Sequence, residues 1–301
     1  MFIKKHHPNR DEDMKDAKIL ILGAYGMLGH KLFQSLGRQY EAYATCRSVR
    51  PDLNETHNLD SDRLFPNVTA ENFDSVVSAL SRICPDVVIN CIGIIKQREQ
   101  SGEAIASLQI NAVFPRRLAS LCKSAKTRLF HFGTDCVFSG KRGMYTERDI
   151  PDAEDLYGRT KYLGEVSDEG CITIRSSIIG REIAGREGLL EWFLSNKGGS
   201  VKGFTKAIYS GFTTTEMSRI VNLIITNHTD LYGVWHVASK PISKFDLLHL
   251  VNSKLSLGIT IRPDDTFRCD RSLNGDAFNQ RTGYCPPSWD EMIDELSKES
   301  I

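Results

Sequence analysis

The sequence has no surplus of charge: 38 lysines and arginines meet 38 aspartates and glutamates, for a formal net charge of +0. A general nucleic-acid binder normally carries a basic excess, so no nucleic-acid partner is expected. No apolar run approaches the roughly 18 residues of a membrane span, so no membrane partner is expected either. Residues 1–17 are polar and charged and lack the apolar core of a secretory signal. They have almost nothing to bury and are expected to form a disordered tail. The 8 cysteines form no CxxC pair and no metal-ligand spacing, and the 8 histidines form no HExxH or HxxxH pattern. No metal site is expected, and the cysteines read as reduced thiols of a cytoplasmic protein.

What is present is enough apolar material for a sizeable core: 41% of 301 residues. At about 100–200 residues per domain, that length fits two lobes or one large domain. From Lys18 onward, short apolar runs alternate with helical stretches. Ile19–Leu22, Glu41–Thr45, Asp86–Asn90, Arg128–Phe132 and Cys171–Ser176 read as strands. Leu28–Leu36, Val76–Ile83, Ala104–Lys123 and Tyr157–Glu165 read as helices. Uniformly apolar strands alternating with helices predict an α/β fold of the Rossmann type, a doubly wound parallel sheet covered on both faces. After about residue 180 the alternation loosens. Residues 18–180 are expected to form the cofactor domain. Residues 181–301 are expected to be mainly a smaller, more irregular substrate lobe, with a segment near 210–240 returning to the first domain. Trp192, on a helical stretch, reads as core.

Directly after the first strand comes Gly23-Ala24-Tyr25-Gly26-Met27-Leu28-Gly29, a GxxGxxG turn opening a helix. A dinucleotide pyrophosphate needs backbone N–H groups at close approach and a helix N-terminus pointing at it. Tyr25, Met27 and Leu28 are therefore expected beside the cofactor with Gly23, Gly26 and Gly29. At the end of the second strand, where an acid would hold the ribose 2′-OH of NAD, the chain has Arg47. A guanidinium suits the 2′-phosphate, so the cofactor is expected to be NADPH. Asp60 is placed within reach of the adenine. Cys91, Ile92 and Gly93 close the strand at Asn90 and are expected to lie beside the cofactor.

Tyr157 and Lys161 form YxxxK at the start of a helix, one turn apart on one face. A neighbouring ammonium stabilises a phenolate and makes the phenol a better proton donor near neutrality. Upstream, Thr134, Asp135 and Cys136 follow a strand with a hydroxyl, an acid and a thiol. Thr134 is placed to donate to the carbonyl oxygen that Tyr157 would protonate.

These segments together (ILGAYGMLG, VINCIG, NAVFPRRLA, FGTDCVFSG, YTERDIPDAEDLYGRTKYLGE and GFTTTE) resemble the extended short-chain dehydrogenases, and most closely the dTDP-4-dehydrorhamnose reductase family. The resemblance runs from about Lys18 to about Glu295 and is strongest between Phe130 and Glu165. It implies hydride delivery from NADPH to a nucleotide-linked 4-keto-6-deoxy sugar, with Thr134, Tyr157 and Lys161 as the catalytic set. It implies a substrate site drawing on Thr134, Asp135, Cys136, Phe212, Thr213 and Arg271, and a cofactor contact from Ser177. It also implies that Asn111 supports the lysine through water. Cys136 replaces the family's usual tyrosine. GDP-fucose synthase, a related extended member, is similar in having an acid/base cysteine there, whose partner would fall near Glu182. A sugar-nucleotide epimerase and a non-catalytic regulatory subunit, as of methionine adenosyltransferase, are the rival readings. Extended members often pair through helices, which leaves a homodimer open.

Overall fold

A computed structural model describes residues 16–95 and 103–299. Most of the expected tail, residues 1–15, lies outside the described residues, whereas Ala17, placed at its end, is buried in the core.

The first half alternates strand and helix. The order is β1 (Lys18–Leu22), α1 (Met27–Leu36), β2 (Glu41–Thr45), α2 (Pro51–Thr56), β3 (Leu64–Phe65), α3 (Phe73–Ile83), β4 (Val87–Asn90) and α4 (Ala104–Ser107). Then follow α5 (Phe114–Ala125), β5 (Arg128–Phe132), α6 (Leu156–Leu163) and β6 (Cys171–Arg175). A π-helical turn, Leu108–Val113, joins α4 to α5. The second half holds β7 (Ile178–Ile179), α7 (Leu189–Leu194), β8 (Ser200–Tyr209), β9 (Phe212–Thr213), α8 (Thr214–Asn227) and β10 (Gly233–His236). It ends with β11 (Ile242–Ser243), α9 (Lys244–Lys254), β12 (Thr260–Asp270), α10 (Asp276–Thr282) and α11 (Trp289–Ser297).

Seven strands form one sheet in the order β10-β6-β5-β4-β1-β2-β3, and every pairing is parallel. This is the doubly wound arrangement, with its topological switch between β1 and β4. Period-two alternation sorts each strand onto two cores. Ile19, Ile21, Val87, Ile89, Phe130 and Phe132 pack on one face. Leu20, Leu22, Val88 and Leu129 pack on the other. Truncating one of these fully buried side chains, as in Leu20→Ala, costs about 2–5 kcal/mol. Helix α1 turns Leu28, Leu32, Phe33 and Leu36 inward and packs against α8.

The segment after β9 returns to this sheet: α8 covers it and β10 pairs with β6. The remaining chain is more regular than its sequence suggests. β8 and β12 are long strands paired in parallel, and β11 adds an antiparallel edge. Pro263 stands inside β12, just before its pairing with β8 shifts register between Asp264 and Arg268. Trp192 is 42% exposed on α7 and is not core; its neighbour Phe193 takes the buried position.

Candidate active site

At the C-terminal ends of β1, β4 and β5, a cleft of about 580 Å³ opens between the parallel sheet and the end of β8 with β12. Its first wall is the glycine turn. Gly23 has φ +95, and a Cβ on Gly29 would stand 2.0 Å from the Gly23 carbonyl oxygen. The first glycine therefore makes the turn, and the third lets α1 press against it. Helix α1 follows Gly26 with no side-chain cap among the described residues, and Tyr25, Gly26, Met27 and Leu28 at this N-terminus line the cleft. Uncapped amides at a helix N-terminus suit an anionic group. The Tyr25 hydroxyl donates to Asn54 Oδ1 at 2.8 Å and accepts from the Arg50 N–H at 2.9 Å, which fixes its ring.

Cys91, Ile92 and Gly93 line the cleft next, after β4. Asn111 sits in the π-helical turn, and its carboxamide is closed on Ile94. It accepts from the Ile94 N–H at 2.9 Å and donates to the Ile94 carbonyl at 3.0 Å. Its side chain thus holds the loop after β4.

Thr134, Asp135, Cys136, Tyr157 and Lys161 meet on the floor of the cleft. The Thr134 hydroxyl caps a short 3-10 turn, accepting from the Cys136 N–H at 3.1 Å, and donates to Asp135 Oδ1 at 3.2 Å. Helix α6 is capped by Asp155, which accepts from the Gly158 N–H at 2.8 Å. A Cβ on Gly158 would lie 2.2 Å from the Cys136 carbonyl oxygen, so this glycine lets Tyr157 sit against the turn. Burial pushes the Tyr157 phenol above its ordinary range; the charge on Cys136 acts the same way, and the Thr134 side chain pulls it back. Lys161 is lowered to about 8 by burial, against the pull of Glu165 and Cys91. Its ammonium donates to the Phe132 carbonyl at 2.6 Å. The expected effect of Lys161 on the phenolate is therefore not what dominates here: burial does, and it keeps Tyr157 protonated.

The far wall comes from the second half of the chain. Ser177, Tyr209, Lys244, Phe267, Cys269 and Arg271 all line the cleft. The Arg271 Nε donates to the Phe138 carbonyl at 2.8 Å, and its Nη1 lies 3.6 Å from the Cys136 sulfur. Tyr209 rests against Trp289 with ring centroids 5.4 Å apart, and its shielded hydroxyl has no hydrogen-bond partner among the described residues.

Several expected residues stand elsewhere. Phe212 is fully buried and packs edge-on to Tyr284, while Thr213 caps α8 by accepting from the Glu216 N–H. Neither lines the cleft, because strand β9 turns both into the core. Asp60 caps a short 3-10 turn, Ser61–Arg63, just before β3. Its carboxylate accepts from the Asp62 N–H and pairs with Arg63 at 3.3 Å, away from the cleft wall. Arg47 follows β2 but is paired with Glu71 at 3.1 Å, both side chains well exposed. Glu182 does line the cleft, yet its carboxylate accepts from the Glu187 and Gly188 N–H groups at 3.0 and 2.7 Å. It is held in its own loop and is not a free acid/base. Tyr209, which opens the segment Tyr209–Thr214 that resembles the family stretch meeting the sugar nucleotide, does line the cleft, whereas Lys244 and Phe267 had no local sequence signal. Among the described residues no group of three or more His, Cys, Asp or Glu is placed to hold a metal, and no helix is long and apolar enough to cross a membrane.

Comparison with known proteins agrees with this geometry. Residues 17–298 match the family model described as the RmlD substrate binding domain. The chain is 32% identical over 171 residues to a dTDP-4-keto-6-deoxy-D-glucose reductase of Streptomyces niveus, covering 54% of this chain and 53% of that one. It is 27% identical over 150 residues to the methionine adenosyltransferase 2 subunit beta of Rattus norvegicus, covering 49% of this chain and 41% of that one. Each match thus spans about half the relative's length or less. A crystal structure of dTDP-4-dehydrorhamnose reductase from Bacillus anthracis in complex with NADP superimposes with a TM-score of 0.79. That likeness covers 95% of this chain and all of the other at 22% identity, and establishes the shared fold.

Proposed function

The chain belongs to the RmlD substrate-binding-domain family, and from that premise we propose that it is an NADPH-dependent reductase of a nucleotide-linked 4-keto-6-deoxy sugar. The observation that carries this reading is the meeting of Thr134, Tyr157 and Lys161 in one cleft with an uncapped helix N-terminus. The relative from Streptomyces niveus and the NADP-bound relative from Bacillus anthracis bear names of the same chemistry.

The glycine turn and the N-terminus of α1 fit a pyrophosphate, and Arg47 after β2 is the cation for a 2′-phosphate. When bound, NADPH supplies the hydride that reduces the ketone carbon. The chain's own part is electrostatic and protonic. Thr134 directs the carbonyl oxygen of the sugar. Tyr157, kept protonated by burial, gives its proton to that oxygen as negative charge develops there. Lys161, a buried cation on the same helix face, offsets the phenolate left behind. Such general acid catalysis contributes about 10²–10⁴ in rate. Ser177 and Cys91 to Gly93 wall the cofactor side; Asp135, Cys136 and Arg271 wall the substrate side. The same reading places the protein in the cytoplasm, where its thiols stay reduced.

The half-length match to a methionine adenosyltransferase subunit is what favours a regulatory rival. The test is to mix the purified protein with NADPH and a panel of 4-keto-6-deoxy sugar nucleotides. One NADPH consumed per sugar reduced, lost in Tyr157→Phe, supports the reductase. A protein that binds NADPH but turns over no sugar of the panel removes the reading and leaves the regulatory subunit.

A further inference from the structure

Tyr25, between the first two glycines of the turn, lines the cleft, yet its hydroxyl has no proton left to give a ligand. A phenol carries one proton. That proton is donated to Asn54 Oδ1 at 2.8 Å, and the oxygen accepts from the Arg50 N–H at 2.9 Å. Asn54 is itself fixed: it is buried, and its amide donates to Ser61 Oγ at 3.1 Å. The hydroxyl therefore reaches past the glycine turn to the backbone of the segment that follows β2, at Arg50, the residue that opens α2.

That segment carries Arg47, and it is held at both ends. At its start the Cys46 N–H donates to the Phe65 carbonyl at 2.9 Å. The Asn67 and Val68 N–H groups donate to the Arg47 and Cys46 carbonyls, both at 3.1 Å. At its end the tie is the Tyr25 hydroxyl on the Arg50 N–H. Ser48 and Val49, between the ties, are exposed. The glycine turn is fastened to the same place by its own backbone, the Ala24 N–H donating to the Thr45 carbonyl at 2.8 Å. Tyr25 is thus a side chain that joins the turn suited to a pyrophosphate to the far end of the segment bearing the cation for a 2′-phosphate. A guanidinium on a segment already held at both ends loses less freedom when it closes on an anion.

We propose that Tyr25 is a positioning residue for cofactor choice: its hydroxyl holds the segment of residues 46–50 so that Arg47 meets the 2′-phosphate of NADPH, and it does not touch the phosphate itself. The inference rests on the NADPH-dependent reading, with Arg47 as the cation, but its test needs no sugar and no turnover. NADPH and NADH are titrated into the full-length protein by fluorescence, and the readout is the ratio of the two affinities. A loss of folded protein leaves that ratio unchanged, because both cofactors meet the same molecules. Tyr25→Phe keeps the ring and removes both hydrogen bonds. It should lower the preference for NADPH over NADH by about three- to tenfold, in the range of a lost hydrogen bond. In an Arg47→Ala background the same substitution should move the ratio by less than about twofold, because two residues acting through one contact are not additive. Tyr25→Phe with the wild-type ratio overturns the proposal, as does a loss equal for both cofactors. An undiminished loss in the Arg47→Ala background also overturns it, since the hydroxyl would then act without Arg47. A wild type with no preference for NADPH overturns it as well. A protein that prefers NADPH through Tyr25 and Arg47 but reduces no keto sugar leaves the proposal standing and removes the reductase reading.

Discussion

The guanidinium of Arg271 spans the two halves of the cleft, with Nη1 3.6 Å from the Cys136 sulfur and Nε 2.8 Å from the Phe138 carbonyl. A residue near the C-terminus is thereby fixed against the turn that carries Thr134. The same guanidinium lies 3.9 Å from Asp155, the cap of the helix that bears Tyr157. Arg271→Met should raise KM for the sugar nucleotide at least about tenfold, as expected for losing a charge-assisted contact. NADPH affinity should change little. Steady-state kinetics with varied sugar nucleotide checks this, and an unchanged KM would take Arg271 out of the substrate site.

The surroundings of Cys136 bear on whether reduction is accompanied by epimerisation. Inversion next to the ketone needs a second acid/base on the opposite face, and the residue considered for it, Glu182, is tied to two backbone N–H groups. The product should therefore keep the substrate's configuration at C3 and C5, and Cys136→Ser should alter the rate only modestly. Deuterium at either carbon of product made in D₂O, read by mass spectrometry and absent with Cys136→Ser, would show the thiol acting as an acid/base.

Lys161 sets a pH dependence that two measurements can follow. With its ammonium lowered to about 8 by burial, kcat/KM should fall as pH rises through about 8 and the cation is lost. Stability moves the other way. A base whose folded pKa is depressed binds fewer protons folded than unfolded between that pKa and its ordinary value, so stability rises with pH across the interval. Urea unfolding of wild type and Lys161→Met should therefore converge or cross as pH rises from about 8 toward 10. Parallel curves would mean that Lys161 carries no burial cost.

The parts of the site that could be read from sequence are those fixed by local backbone demands. Gly23 and Gly29 are required by a turn and a close approach within seven residues of chain, and Tyr157 and Lys161 by one turn of helix. Phe212, Thr213 and Trp192 were misplaced because their burial depends on which way β9 and α7 are rolled against distant elements. Nothing within ten residues of any of them says so. Lys244 and Phe267 gave no signal for the same reason: they reach the cleft only because β8, β11 and β12 form a sheet of their own. Glu182 shows a different limit, since a carboxylate's chemistry depends on whether its own loop has already claimed it.

Arg47 is held by Glu71 in an exposed pair, and such pairs are weak enough for a phosphate to displace. Arg47→Ala should weaken NADPH by about ten- to a hundredfold and leave NADH nearly unchanged, in line with a charge-assisted contact. Glu71→Gln should strengthen NADPH slightly, by freeing the guanidinium. Equal losses for both cofactors in fluorescence titrations would remove this role from Arg47.

His236 links acid stability to the buried network behind the site. Its ring lies between the Tyr145 carbonyl at 2.9 Å and the Arg175 guanidinium at 3.1 Å, which requires the neutral form. Burial, with Arg175 beside it, lowers the imidazole to about 4. The unfolded chain binds this proton from about pH 6.5 downward, so stability should be lost as pH falls from about 6.5 to 4. His236→Gln should flatten that part of the acid-unfolding curve, and an unaltered slope would contradict the assignment.

The central claim is that Tyr157 and its neighbours serve a hydride transfer to a sugar ketone. The most direct test uses NADPH deuterated at the transferring position, with a dTDP-4-keto-6-deoxy sugar as substrate and the product read by mass spectrometry and NMR. The account predicts one deuterium per product at C4, one NADP⁺ formed with each, and loss of both in Tyr157→Phe. Sugar recovered without deuterium, or altered with no NADP⁺ formed, would contradict it.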